Sequence, residues 1–382
     1  MDLSRWLSTQ KLVVCVGSGG VGKTTTAATI GLHGAVLGRK VIVLTIDPAK
    51  RLANSLGLDA MGGEPTRIDL SKLPEASGEL WAMMLDSQST FDALISSVAP
   101  SAEVRDRILS NHVYRHMADA FAGSQDYMAT EKLYDLVSSG DWDLVVLDTP
   151  PVKNALDFFE SPGRVVDFLD EKVLSWFLTQ DGAPKSWGAR LLGGASNLVY
   201  KLLGAIFGDE FLGDLREFLD DFNGLYDGFR ERHQAVLDVF RAEGTAFVTV
   251  CAPTESSVDV AVYFQEELSR RELPRSGVVI NQVHRCEATT DDAEAVLGEL
   301  ARRLSTDLPE HTAPTLLARL GRAHRRLREL VDAEQALGRQ VRAAAKGEGF
   351  FQEVPRLEGE VHDLAALREV GRCLFEEPAE RA

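Results

Sequence analysis

Short apolar runs alternate with amphipathic stretches along this chain. Residues 12–16 (LVVCV) are unbroken apolar, the pattern of a strand buried on both faces. Beyond Gly22, residues Ala27, Ile30, Gly34 and Leu37 recur at helical spacing on one face, and Gly38 supplies a stop. Residues 41–46 (VIVLTI) predict a second buried strand and residues 80–85 a third. Residues 144–147, 246–250 and 278–280 predict three more, and residues 88–138 read as largely helical. The last segment, 350–375, predicts a short extended stretch around Val354 and Pro355, then a helix. Strands alternating with helices imply an α/β fold with a doubly wound, mostly parallel sheet. Two helical regions break the rhythm, at about 152–242 and about 291–345. They read as insertions in one domain spanning 1–382.

The turn after the first strand carries the chemistry. Gly17, Gly22, Lys23 and Thr24 fill the pattern G-x-x-x-x-G-K-[ST], a phosphate loop. Gly19, Gly20 and Val21 complete the loop, whose backbone N–H groups can close on a phosphate. Lys23 would set its ammonium against the β- and γ-phosphates, and the Thr24 hydroxyl would hold Mg²⁺. The following helix points its N-terminus at the anion. The chain is therefore expected to be a P-loop NTPase that binds a nucleotide with Mg²⁺.

Two carboxylates stand at the ends of apolar strands, where such sheets bind ligands. Asp148 follows residues 144–147 in the Walker B arrangement and would face Mg²⁺ through water. Asp47 follows residues 41–46 and could orient or deprotonate the attacking water, or contact Mg²⁺ through water. Either aspartate could instead cap a helix. Beside a full phosphate loop, the functional role is favoured.

Composition narrows the partners. A formal net charge of −17 argues against nucleic acid or an anionic membrane as the main partner. The cysteines Cys15, Cys251, Cys286 and Cys373 are dispersed, so no disulfide framework is indicated and a reducing cytoplasm fits. The N-terminus lacks a signal pattern, and no apolar run approaches the ~18 residues of a spanning helix.

The run Gly19 to Thr25, then Asp47-Pro48-Ala49 and Asp148-Thr149-x-Pro151, resembles the arsenical-pump and tail-anchored-protein-targeting ATPases, relatives of the MinD and ParA proteins. That resemblance implies ATP as the nucleotide and switch segments at both aspartates. It also implies a working dimer with nucleotides at its interface. Through it, Thr25 joins the phosphate contacts and Asn281 matches an adenine-reading asparagine. Val354 and Pro355 match an adenine loop, and residues 360–367 a closing helix. The absence of the Asn/Thr-Lys-x-Asp guanine signature agrees with adenine. The insert after Asp148 would form a groove for a client helix, using residues 165–215, although these apolar faces could equally pack on one another.

The chain departs from the family pattern in several places. Ser18 stands where the group usually has a lysine that reaches the partner subunit's phosphates. Lys50, Arg51 or Lys153 could supply that charge or remain solvated. The family's zinc-binding CxxC and arsenite-site cysteine cluster are both missing, and there is one phosphate loop, not two. The arginines at 319–328 read as a solvated face. The expected function is a cytoplasmic, Mg²⁺-dependent ATPase acting as a homodimeric or heterodimeric switch. It would be coupled to a hydrophobic or membrane-protein client, and so to a membrane only indirectly. A regulatory subunit that hydrolyses ATP weakly, paired with a paralogue, is the alternative that Ser18 motivates. A positioning ATPase like the MinD group is a third.

Overall fold

The computed structural model describes residues 2–47, 51–112, 114, 125–150, 209–286, 295–300, 302–303, 312–345, 349–357, 359 and 361–375. Pro48, Ala49, Lys50, Pro151, Lys153 and Glu360 lie outside these residues, as does most of the expected client groove.

The first half of the chain runs α1 (Leu3–Thr9), β1 (Leu12–Val16), α2 (Lys23–Val36), β2 (Lys40–Thr45) and α3 (Arg51–Ser55). Then come β3 (Thr66–Arg67), β4 (Glu79–Met84), α4 (Ser87–Val98), α5 (Ala102–Ser110), α6 (Gln125–Ser138) and β5 (Leu144–Asp148). The second half holds α7 (Asp209–Asn223), α8 (Tyr226–Arg241), β6 (Thr245–Cys251), α9 (Glu255–Arg270) and β7 (Arg275–Val283). It closes with α10 (Thr312–Ala344), β8 (Phe350–Pro355) and α11 (Leu364–Phe375).

The strands form one sheet in the order β3-β4-β2-β5-β1-β6-β7-β8. All pairs are parallel except β3 with β4. Every residue of β1, β5 and β6 is buried, so these strands need no polar alternation. One apolar layer joins β-strand residues such as Val13 and Val43 to Ile30 of α2 and Leu367 of α11. The opposite layer packs Val14 and Leu147 against Leu133 of α6, Phe240 of α8 and Phe264 of α9. The sheet is thus covered on both faces, as a doubly wound fold requires.

Some expectations need correction. β7 is longer than residues 278–280, and Asn281 sits inside it instead of after it. α2 is buried nearly all round, not on one face, while Leu37 is 38% exposed. The cause is α11, which lies over the outer side of α2: His33 stacks on Phe375 with ring centroids 3.8 Å apart. The closing helix starts at Leu364, not near residue 360, because Asp363 accepts a 2.8 Å hydrogen bond from the Ala366 N–H and caps it there.

The flanking helices bury their own apolar faces. Phe218, Phe222 and Phe229 of α7 and α8 pack with Phe91, Ile95 and Ile108 of α4 and α5. The C-terminal half of α10 buries Val331, Glu334 and Val341, while Arg319, Arg322, Arg325 and Arg326 are exposed.

Gly17 links the sheet to the phosphate loop at very close range. A Cβ there would stand 2.0 Å from the Val250 carbonyl oxygen of β6, backbone that only a strand shift could move. Gly17→Ala is expected to destabilise the protein by about 3 kcal/mol. At Gly20 a Cβ meets nothing within 4 Å, and only its φ of +77° penalises a side chain. Gly20→Ala should therefore cost about 1–2 kcal/mol. Urea unfolding of both variants checks the order.

Candidate active site

The phosphate loop is held open by backbone geometry. α2 begins at Lys23 with Gly22 as its N-cap at φ +94° and no side-chain cap, which leaves first-turn N–H groups for a ligand. A Cβ at Gly22 would stand 2.1 Å from the Asn281 amide nitrogen. Lys23 is 6% exposed, and its Nζ donates to the Ser18 carbonyl oxygen at 2.8 Å. Burial lowers its pKa from the ordinary lysine value, with Asp148 opposing the shift. The ammonium is held against the loop, without a full counter-charge.

Register brings the two aspartates to this loop. Asp148 of β5 lies between Cys15 of β1 and Thr45 of β2. Its Oδ2 accepts from the Thr24 hydroxyl at 2.8 Å and from the Thr45 hydroxyl at 3.0 Å. Its Oδ1 is buried and has no hydrogen-bond partner. Burial pushes the Asp148 carboxyl up to about 6, although both threonines and Lys23 favour the anion. Asp47 lies just past β2 with its side chain 17% exposed, and its Oδ2 is 3.7 Å from Arg51 Nη1. Thr149, next to Asp148, donates its hydroxyl to the Cys15 carbonyl oxygen at 2.7 Å and ties β5 to β1.

Two clefts meet here. The smaller, about 320 Å³, is lined by Gly20, Gly22, Lys23, Thr24, Thr25 and Asp47, together with Arg51, Gln282 and His362. The larger, about 820 Å³, runs from Gly22 and Thr25 past Asn281 to Val354 and Pro355. Asn281 and Pro355 therefore face one space with the phosphate loop. The Asn281 amide donates to the Val21 carbonyl oxygen at 2.9 Å, so here it braces the loop. Ser18 hydrogen-bonds within its own chain: its Oγ is 3.0 Å from the Ser257 hydroxyl, which accepts from the Ala252 N–H.

The donor set suits a hard cation that keeps water and phosphate ligands. Among the described residues no group of three or more His, Cys, Asp or Glu could hold a metal by itself. Thr24 and the unpartnered Oδ1 of Asp148 offer two oxygens, as Mg²⁺ sites shared with phosphate do.

Thr45 and Gln282 escaped the sequence reading. Thr45 had a signal, a lone hydroxyl at the end of an apolar run. Gln282 had none: its place follows from a bulge in β7, and its φ of +64° costs a non-glycine residue about 1–3 kcal/mol.

The raised Asp148 pKa has a consequence for stability without ligand. The folded state holds this proton more tightly than the unfolded chain. The stability it contributes is full below the unfolded value near 3.8, and is lost as pH rises through about 6. With chelator and no nucleotide, the stability of wild type relative to Asp148→Asn should fall by about 2–3 kcal/mol between pH 4 and 7. Urea unfolding of both proteins across that range checks it.

A family model described as "Anion-transporting ATPase" matches residues 10–299. The chain is 26% identical over 276 residues to a protein named ATPase GET3 from Malassezia globosa, covering 72% of each. It is 26% identical over 280 residues to ATPase ARSA2 of Chlamydomonas reinhardtii, covering 72% of this chain and 68% of that one. Against a Cryptosporidium parvum protein named ATPase ASNA1 homolog, identity is 25% over 308 residues, or 79% and 74% of the two chains. With its phosphate loop and strand-end aspartates inside the matched span, the chain belongs to the anion-transporting ATPase family and is an ATP hydrolase.

Proposed function

We propose that this ATPase is a Mg²⁺-dependent, nucleotide-driven dimeric switch of the cytoplasm, coupled to a hydrophobic or membrane-protein client. The observation that carries the catalytic part is the Asp148 carboxylate, held by Thr24 and Thr45 with its second oxygen unpartnered. Thr24 and Asp148 would hold the ion. When bound, Mg²⁺ would offset the charge of the β- and γ-phosphates. Lys23 exchanges its bond to the Ser18 carbonyl for the phosphates, and the first turn of α2 donates N–H groups to them. Asp47 orients the attacking water, or takes its proton, from the edge of the same cleft. Asn281 and Pro355 border the space for adenine. No helix among the described residues is long and apolar enough to cross a membrane. The net charge of −17 disfavours nucleic acid.

Ser18 favours an alternative, a subunit that hydrolyses ATP weakly alone and pairs with a paralogue. Its hydroxyl is short, uncharged and bonded to Ser257, so it brings no cation to a partner's phosphates. Of Lys50, Arg51 and Lys153, Arg51 lies among the described residues, beside Asp47 and lining the same cleft.

One ATPase series tests these roles. Asp47→Asn should still bind ATP and lose on the order of a hundredfold in rate. Lys23→Ala should lose nucleotide binding or turnover. Wild type should turn over slowly, and Ser18→Lys should speed it, by up to about 10³-fold if the dimer closes on the new charge. A wild-type rate in Asp47→Asn would leave that residue a mere cap. Fast wild-type turnover with no gain in Ser18→Lys would remove the weak-subunit alternative.

A further inference from the structure

Among the described residues two non-glycine positions have positive φ, Glu272 at +55° and Gln282 at +64°. Glu272 is explained by its place. It follows α9, where the Leu273 N–H donates to the Leu268 carbonyl at 2.9 Å, a helix end that calls for a left-handed residue. Gln282 ends no helix. It lies within β7, whose register with β8 passes from Ile280 opposite Glu353 to Val283 opposite Pro355. Asn281 and Gln282 thus face Val354 alone, which makes a β-bulge.

The bulge turns two consecutive amides toward the ligand clefts. That of Asn281 is engaged with the Val21 carbonyl. The Gln282 side chain makes no hydrogen bond to the described residues and is exposed. Gln282 lines both the phosphate cleft and the larger cleft, a position shared with Gly22, Thr25 and Val361. Of these four, Gln282 alone carries an amide, a donor and an acceptor on one planar group. Between the phosphates and the base of a nucleotide lies the ribose, whose two neighbouring hydroxyls each donate and accept.

We propose that Gln282 is a specificity-determining residue that binds the ribose hydroxyls, and that the strained bulge in β7 exists to present it; this rests on the nucleotide site proposed above. An outlier of this kind, held in a cleft by the register of a strand pair, points to a function served by the strain.

Calorimetric titration with ATP and 2′-deoxy-ATP, applied to wild type, Gln282→Gly and Lys23→Ala, tests it. Glycine accepts φ +64° without strain, so Gln282→Gly should fold with an unchanged or higher Tm. Its affinity for ATP should fall about tenfold, as for loss of hydrogen bonds to a bound ligand, with a much smaller change for 2′-deoxy-ATP. The wild-type preference for ATP over 2′-deoxy-ATP should then collapse. Wild-type affinity and preference in Gln282→Gly, with binding lost in Lys23→Ala, would overturn the ribose assignment and leave the nucleotide site standing. An equal loss for both nucleotides would also overturn it, since Gln282 would then shape the wall without reading a hydroxyl. No ATP binding by wild type would overturn the site and this assignment together.

Discussion

The structure turns on a carboxylate buried where three strands end. Asp148 is 0% exposed, yet it has only two hydroxyls to bond and one oxygen left without a partner. A buried charge so poorly paired opposes folding, and the raised pKa expresses that cost. The arrangement persists because the order β2-β5-β1 leaves no freedom. Thr45 and Cys15 are its register partners, and Thr24 stands on the helix that β1 feeds. Lys23 is the complement, a buried ammonium resting on a backbone carbonyl. A cation lining the cleft, and an anion buried just behind the Thr24 that lines it, each short of partners, suit a ligand that carries both charges. A metal-bound polyphosphate is such a ligand.

The other half of the sheet shapes the rest of the cleft. β6 supplies the carbonyl against which Gly17 turns, so the phosphate loop is seated on Val250. β7 and β8 provide Asn281, Gln282, Val354 and Pro355 to the larger space. Asn281 joins the halves by donating to the Val21 carbonyl. α11 covers α2, the helix that carries Lys23 and Thr24, and so fixes the phosphate-binding turn from behind.

Much of this was legible in the sequence, where cause is local. The apolar runs of β1, β2, β5 and β6 mark strands buried on both faces, and the glycine-lysine-threonine turn needs no distant residue to be read. Asp47 and Asp148 were legible because strand ends in a parallel sheet converge. What escaped depends on pairing between distant segments. The Gln282 bulge is set by the register of β7 against β8, the Ser18–Ser257 bond by the packing of α9, and the near-complete burial of α2 by α11. None of these leaves a periodic trace in the chain. The start of α11 was missed for a smaller reason: Asp363 caps it, and residues 361–362 before it stay non-helical.

The unpartnered oxygen of Asp148 is expected to be completed by the ion that accompanies the nucleotide. The most direct test compares the rise in Tm given by ATP with Mg²⁺ to that given by ATP with chelator, in wild type and in Asp148→Asn. A large extra rise from Mg²⁺ in wild type, mostly absent in Asp148→Asn, is the expected result. An equal Mg²⁺-dependent rise in both proteins would contradict it.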